Sequence, residues 1–176
     1  MSRINIIDYK KEHQPYFEML NRAWIEKYFE MEQRDIESLT KPEETIIKKG
    51  GAILMAEYDG VIAGTVALKK VDGVTYEFTK MAVDENFRRR GIAEELCHAS
   101  FIKAKELGAK MVILFSNSIL TPAITMYEKV GFRHVTVENS GYKRSDVKMS
   151  ITIEDAIQFA NKHYNLKPIN YGYQDH

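Results

Sequence analysis

Short runs in which apolar and polar residues alternate are interleaved with segments whose apolar residues recur every three or four positions, the mark of a chain that mixes strands with helices. Ile4, Ile6 and Ile7 before Asp8 read as a first strand. Phe17, Leu20, Trp24, Tyr28 and Met31 then step by three or four, which predicts an amphipathic helix over 14–31. A second, shorter helix over 35–39 is expected to stop near Pro42. Residues 52–58 and 61–68 flank Asp59-Gly60 and read as a hairpin, because Asp-Gly supplies the positive φ angles of a tight turn. Asp72-Gly73 reads as a second turn of the same chemistry, leading into a strand over 74–83.

The next period is helical. Ala93, Leu96, Cys97, Ser100, Ala104 and Leu107 form one narrow stripe of small and apolar residues suited to packing on a sheet, with Glu94, Glu95, His98 and Lys105 on the opposite, wet side. The apolar run 111–115 lies between helices, as a buried strand pairing in parallel does. Leu120, Ala123, Ile124, Tyr127 and Val130 then face inward on a helix ending at Gly131. Segments 132–137 and 142–151 are expected to complete the sheet as an antiparallel pair around residues 139–141. A last helix over 154–164, with Ile153, Ile157, Ala160 and Tyr164 on one face, precedes a tyrosine-rich tail from Pro168. One domain over 1–150 with an extension over 151–176 follows. The tail could cover a cleft, make a homodimer contact or hang free.

The stretch MAVDENFRRRGIA, residues 81–93, is the organising feature. A strand ends at Val83, a turn-forming cluster follows, and Arg88-Arg89-Arg90-Gly91 opens the helix. Unpaired N–H groups and the positive end of the helix dipole make such a turn an anion holder. Gly91, lacking a Cβ, lets a phosphate approach the backbone. Three arginines in a row also suit a solvated surface or a weak nucleic-acid patch.

RRRGIA resembles the Q/R-x-x-G-x-G/A motif of the GNAT superfamily of acyl-coenzyme A-dependent N-acetyltransferases, with Arg88, Gly91 and Ala93 at the defining positions. MYEKVGF, residues 126–132, is similar to the YEKLGF signature of that family, and the order of strands around both motifs agrees. The resemblance covers roughly residues 52–149. It implies an α/β (α+β) GNAT fold: a mixed, mostly antiparallel sheet of six to seven strands flanked by about four helices, here with a C-terminal helical extension. It also implies acetyl-coenzyme A as co-substrate and a small-molecule or peptide amine as acceptor.

Under that resemblance Met81, Ala82 and Val83 pair by their main chain with the pantetheine arm. Arg89, Arg90, Gly91, Ile92, Ala93 and Glu94 supply N–H groups to the pyrophosphate, with Arg88 and its neighbours adding charge. Asn117 matches an asparagine that hydrogen-bonds the pantetheine. Glu77 stands where many of these enzymes carry a catalytic carboxylate, and its even spacing to Met81 and Val83 places all three on one face; an exposed strand carboxylate is the plainer reading. Tyr127 matches the family's general-acid tyrosine, against a core aromatic. Trp24, Tyr28 and Phe29 fall on the helices that wall the acceptor cleft, where Trp24 also suits the core. Glu26, Glu30 and Glu32 suit a cationic acceptor or simply a solvated helix face.

Composition narrows the partners. The 176 residues are 44% hydrophobic and 28% charged, as in a soluble globular protein. Lys plus Arg equals Asp plus Glu at 25 each, so the net charge is zero, which argues against nucleic acid as the main partner. The single Cys97 forms no internal disulfide and no run approaches a membrane span, so a cytoplasmic, membrane-free protein is the expectation. His13, His98, His134, His163 and His176 lack metal-ligand spacing, so no metal is expected. The leading reading is acetyl transfer to a primary amine by direct attack in a ternary complex; the alternative is a non-catalytic acyl-coenzyme A sensor on the same fold.

Overall fold

The computed structural model of the chain describes residues 3–138 and 141–164. Seven strands form one sheet: β1 (Ile4–Asp8), β2 (Ala52–Tyr58), β3 (Val61–Lys70), β4 (Thr75–Val83), β5 (Met111–Ser116), β6 (Arg133–Val135) and β7 (Val147–Thr152). Their order across the sheet is β1-β2-β3-β4-β5-β7-β6. Every neighbouring pair is antiparallel except β4 and β5, which run parallel. This is the mixed, mostly antiparallel sheet expected from the sequence.

Five helices cover it: α1 (Gln14–Tyr28), α2 (Gln33–Thr40), α3 (Ile92–Glu106), α4 (Thr121–Lys129) and α5 (Ile153–Tyr164). On one face Phe17 and Ile25 of α1 and Leu39 of α2 pack with Ile53, Met55 and Ala67 of the sheet. On the other, Leu96, Cys97 and Phe101 of α3 and Tyr127 of α4 pack with Leu54, Val66, Phe78 and Met149. Burying a side chain the size of Phe17 or Leu96 contributes about 1.5–3 kcal/mol, so these two layers hold the helices in place. Gly64 lets α3 lie close on β3: a Cβ there would come 3.1 Å from Ile92 and 3.2 Å from Leu96.

One irregularity in β4 governs everything that follows. Its register against β3 runs Glu77 opposite Lys69 and Thr79 opposite Ala67, then resumes with Ala82 opposite Thr65, so β4 holds one extra residue. Lys80 takes φ +53, a conformation rare for a side chain this long. The bulge breaks the two-residue alternation. Phe78, Met81 and Val83 pack on the α3 side, whereas Lys80 turns to the α2 side and meets Asp35. The even-spacing expectation is thus corrected: Glu77 shares a face with Lys69, opposite that of Met81 and Val83.

Other expectations shift for local reasons. α1 ends at Tyr28 rather than at residue 31, because Phe29 is extended, its N–H still held by the Ile25 carbonyl. The Asp59-Gly60 turn has the expected positive φ at both residues, 50° and 82°. The Asp72-Gly73 turn does not; it is held instead by the Asp72 carboxylate, which accepts from the N–H groups of Val74 and Thr75. The final pair of strands is shorter than its apolar pattern, and the described residues 136–138 and 141–146 lie outside both strands. Residues 139 and 140 of the expected turn, and the tail from 165, lie outside the described residues. His98 is buried at 5% exposure rather than wet, for α5 packs on α3 and gives that helix a second covered side.

Candidate active site

β4 and β5 pair only where Thr75, Tyr76 and Glu77 stand opposite Met111, Val112 and Ile113. Beyond that the strands part, since a bulged strand bends away from its neighbour. Residues 78–83 of β4 and 114–117 at the end of β5 then line a cavity of about 630 Å³, together with the start of α3 and the end of α1. Parted strands leave main-chain groups of β4 without a ladder partner on the β5 side, the arrangement by which a sheet accepts an extended ligand.

At the α3 end, Gly91 is the N-cap of the helix at φ +81, and Arg89 before it has φ +62. Left-handed residues in such a turn aim successive N–H groups inward, adding to the positive end of the helix. A Cβ built on Gly91 meets nothing within 4 Å, so the space above this turn is open. Arg88, Arg89, Gly91, Ile92, Ala93 and Glu94 all line the cavity. Arg90 does not; its guanidinium lies over the rings of Tyr58 at 4.7 Å and Phe87 at 5.4 Å. Glu94 is ion-paired with Lys129 of α4, which fastens the two helices beside the turn.

Glu77 and Tyr127 face the same cavity from different elements. Burial pushes the Glu77 carboxyl up, against the pull of Lys69, Lys80, Thr79 and Arg34. The result is a carboxylate that accepts a proton more readily than one in water. Tyr127 is 9% exposed and packs edge-on against Phe78 at 5.8 Å and Phe132 at 5.9 Å. Burial, with Cys97 nearby, raises its hydroxyl pKa, so it stays protonated at neutral pH. The ring thus packs in the core and also borders the cavity.

Trp24, Tyr28 and Phe29, around the end of α1, line the cavity as well. Trp24 also packs with the α1 core, and its Nε1 donates to Asn21 Oδ1 at 3.2 Å, which fixes the indole. Phe29 meets it edge-on at 6.4 Å. Asn117 lines the cavity too, but its side-chain oxygen accepts from Ile119 N at 3.0 Å and its amide donates to the Arg144 carbonyl. It thereby ties the connection that carries Arg144 to the end of β5.

That connection brings in residues that the sequence reading did not single out. Arg144 and Tyr142 line the cavity together with Lys80. Behind them sits Asp35, with 0% exposure. Its Oδ1 accepts from Lys80 Nζ at 2.6 Å and Arg144 Nη2 at 2.8 Å; its Oδ2 accepts from Arg144 Nη1 at 2.7 Å and Glu32 N at 3.0 Å. Burial alone would raise its pKa, yet the Arg144 hydrogen bonds and the Lys80 charge hold the carboxyl well below the usual range. Glu32 also accepts from Arg144, at 3.1 Å, and Glu26 from Arg22, at 3.3 Å. Two of the three glutamates that suited a cationic acceptor, Glu26 and Glu32, are thus engaged with protein cations. Lys80 carried one legible signal: a lysine in the buried register of TYEFTKMAV. Arg144 carried none.

One cavity is thus bordered by the parted strands β4 and β5, the left-handed turn that opens α3, Glu77 and Tyr127. The chain belongs to the Acetyltransferase (GNAT) family, which matches residues 13–132. It is 30% identical over 122 residues to human N-acetylaspartate synthetase, covering 68% of this chain but 38% of that protein. The structure is similar to an acetyltransferase of the GNAT family from Staphylococcus aureus Mu50, with TM-score 0.76, 20% identity, and coverage of 85% of this chain and 99% of that one. It is also similar to yncA, a putative acetyltransferase from Salmonella typhimurium solved with its cofactor acetyl-CoA, with TM-score 0.69, 16% identity, and coverage of 86% and 95%. Among the described residues no helix is long and apolar enough to cross a membrane, and no group of three or more His, Cys, Asp or Glu side chains could hold a metal ion.

Proposed function

We propose that the protein transfers an acetyl group from acetyl-coenzyme A to a primary amine within a ternary complex. The observation that carries this is that Glu77, Tyr127, the parted strands and the α3 turn all line one cavity. The residues fit the donor. The turn at 88–94 offers N–H groups and the Arg88 and Arg89 charges to a pyrophosphate, β4 offers main-chain groups at 81–83 to the pantetheine amides, and Asn117 borders the same path.

The chemistry then follows from the side chains. An aliphatic amine has a pKa of about 10.4 and enters mostly protonated. Glu77, directly or through a water, removes that proton. The neutral nitrogen attacks the thioester carbonyl, main-chain N–H groups near the end of β4 stabilise the oxyanion, the C–N bond forms and the C–S bond breaks. Tyr127 donates its proton to the departing thiolate, and the second proton, shed by the nitrogen as the amide forms, restores the tyrosine hydroxyl. Trp24, Tyr28 and Phe29 form the acceptor wall, excluding water around the amine.

Calorimetric titration with acetyl-coenzyme A, followed by thiol release against a panel of amines, tests the reading. Micromolar binding with amine-dependent thiol release is expected. Binding without release from any amine would make the protein an acyl-coenzyme A sensor, and no binding would leave only the fold.

A further inference from the structure

We propose that Lys80, Arg144 and Tyr142 form an anion-binding corner of the acceptor site, so that the amine accepted by this enzyme carries a carboxylate. The proposal rests on the N-acetyltransferase reading and specifies its acceptor. Its basis is which charges border the cavity and which stand behind it. Lys80 and Arg144 are in the lining, beside Glu77; their counter-carboxylate Asp35 is fully buried behind them, and Glu32 is outside the lining. The cavity therefore meets two cations whose positions are fixed by an anion it does not meet.

The corner is held at a structural cost. Lys80 reaches it only because β4 bulges and its backbone takes φ +53, a left-handed conformation that a long side chain rarely adopts. Two side chains that are nearly always exposed are drawn in, Lys80 to 5% exposure and the Arg144 side chain to 14%. The Tyr142 ring lies among three cations, 4.6 Å from Arg144, 4.9 Å from Lys80 and 4.8 Å from Arg34. Among the described residues, the hydrogen bonds of Arg144 use three of its five N–H groups.

Electrostatics also constrains the acceptor. Glu77 sits within the fields of Lys69, Lys80 and Arg34. An acceptor bearing only an ammonium would meet those cations on its way to Glu77. A carboxylate on the same molecule offsets that repulsion and places the amine toward Glu77. Planar two-oxygen recognition is also what a guanidinium beside an ammonium does best.

The test is thiol release from acetyl-coenzyme A with the twenty free L-amino acids, each against its methyl ester. Esterification removes the charge yet lowers the amine pKa, so intrinsic reactivity favours the ester; a preference for the acid must come from the protein. The accepted amino acid is expected to exceed its ester in kcat/KM by about 10–100-fold, the range for lost hydrogen bonds to charged groups. For an acidic amino acid, the α-amide and the side-chain amide separate the two carboxylates. Arg144→Gln and Lys80→Met should bring the acid-to-ester ratio close to one, which a merely structural role would not do because both substrates would fall alike. Acetyl-coenzyme A titration verifies that each variant is folded. Equal use of acid and ester by the wild-type protein overturns the corner as a subsite while leaving the transferase reading intact. No release with any amine overturns both.

Discussion

The Lys80 ammonium lies 2.6 Å from the Asp35 carboxylate, joining the bulge of β4 to the first turn of α2, and both side chains are almost wholly buried. Asp35 receives four hydrogen bonds, which is what makes a buried carboxylate tolerable. Replacing it by Ala leaves Lys80 and Arg144 facing each other without the buried carboxylate they share. The expected loss is about 3–5 kcal/mol, on the order of 10 °C in Tm, read by thermal unfolding.

The same carboxylate should give the fold an acid-sensitive component. Its folded-state pKa lies below that of the unfolded chain. Its contribution is therefore complete above the unfolded carboxylate value, about 4, and is lost as pH falls from there toward the folded value. Tm measured from pH 7 downward should drop below about pH 4 in the wild type and drop less steeply in Asp35→Asn. Parallel curves would show that the ion cluster does not titrate with unfolding.

Glu77 is shifted the opposite way, up by burial. If it takes the amine proton, the acidic limb of kcat/KM for the free enzyme lies above the ordinary glutamate value of about 4.3. Glu77→Gln should lower kcat by 10²-fold or more, erase that limb and leave acetyl-coenzyme A affinity unchanged. Retention of the limb in the variant would assign the base elsewhere.

The strand segments, the tight turn at Asp59 and the α3 start were legible because each depends on local chemistry: residue periodicity, a left-handed turn, a glycine opening a helix. Tyr127 and Glu77 were legible through short motifs. The bulge was not, since one extra residue in β4 shows only against its partner β3, and it reversed the faces of Met81 and Val83 relative to Glu77. Asp35 looked like an ordinary first-turn acid, and it does form a capping box with Glu32. Its second role comes from Arg144, which is 109 residues away. The sequence pattern even counted that connection as strand. An ion cluster assembled from three separate segments has no period to read.

Tyr127 can be examined without disturbing the packing around it. Its ring keeps its edge-on contacts with Phe78 and Phe132 in Tyr127→Phe, so Tm should barely change. A thiol leaving group has a pKa of about 8.5 and departs fairly well unaided, so the loss in kcat should be modest, roughly 10–100-fold. KM for acetyl-coenzyme A should hold. Since burial raises the hydroxyl pKa, activity should not decline with pH up to about 9 through loss of this proton.

Gly91 separates the shape of the donor turn from its charge. At φ +81 it occupies the left-handed region, where Asn and Asp are tolerated far better than other side chains. The open space above it means that a new side chain meets solvent or ligand rather than protein. Gly91→Asn should therefore keep stability within about 1 kcal/mol of wild type while weakening acetyl-coenzyme A binding at least tenfold, because the side chain takes the volume a pyrophosphate needs. Gly91→Asp is nearly the same size and adds a negative charge, so it should bind more weakly still, and the gap between the two should shrink with added salt. Asn and Asp variants that bind equally would mean that the turn excludes by volume alone. Wild-type affinity in both would place the pyrophosphate away from α3, and with it the donor path along β4.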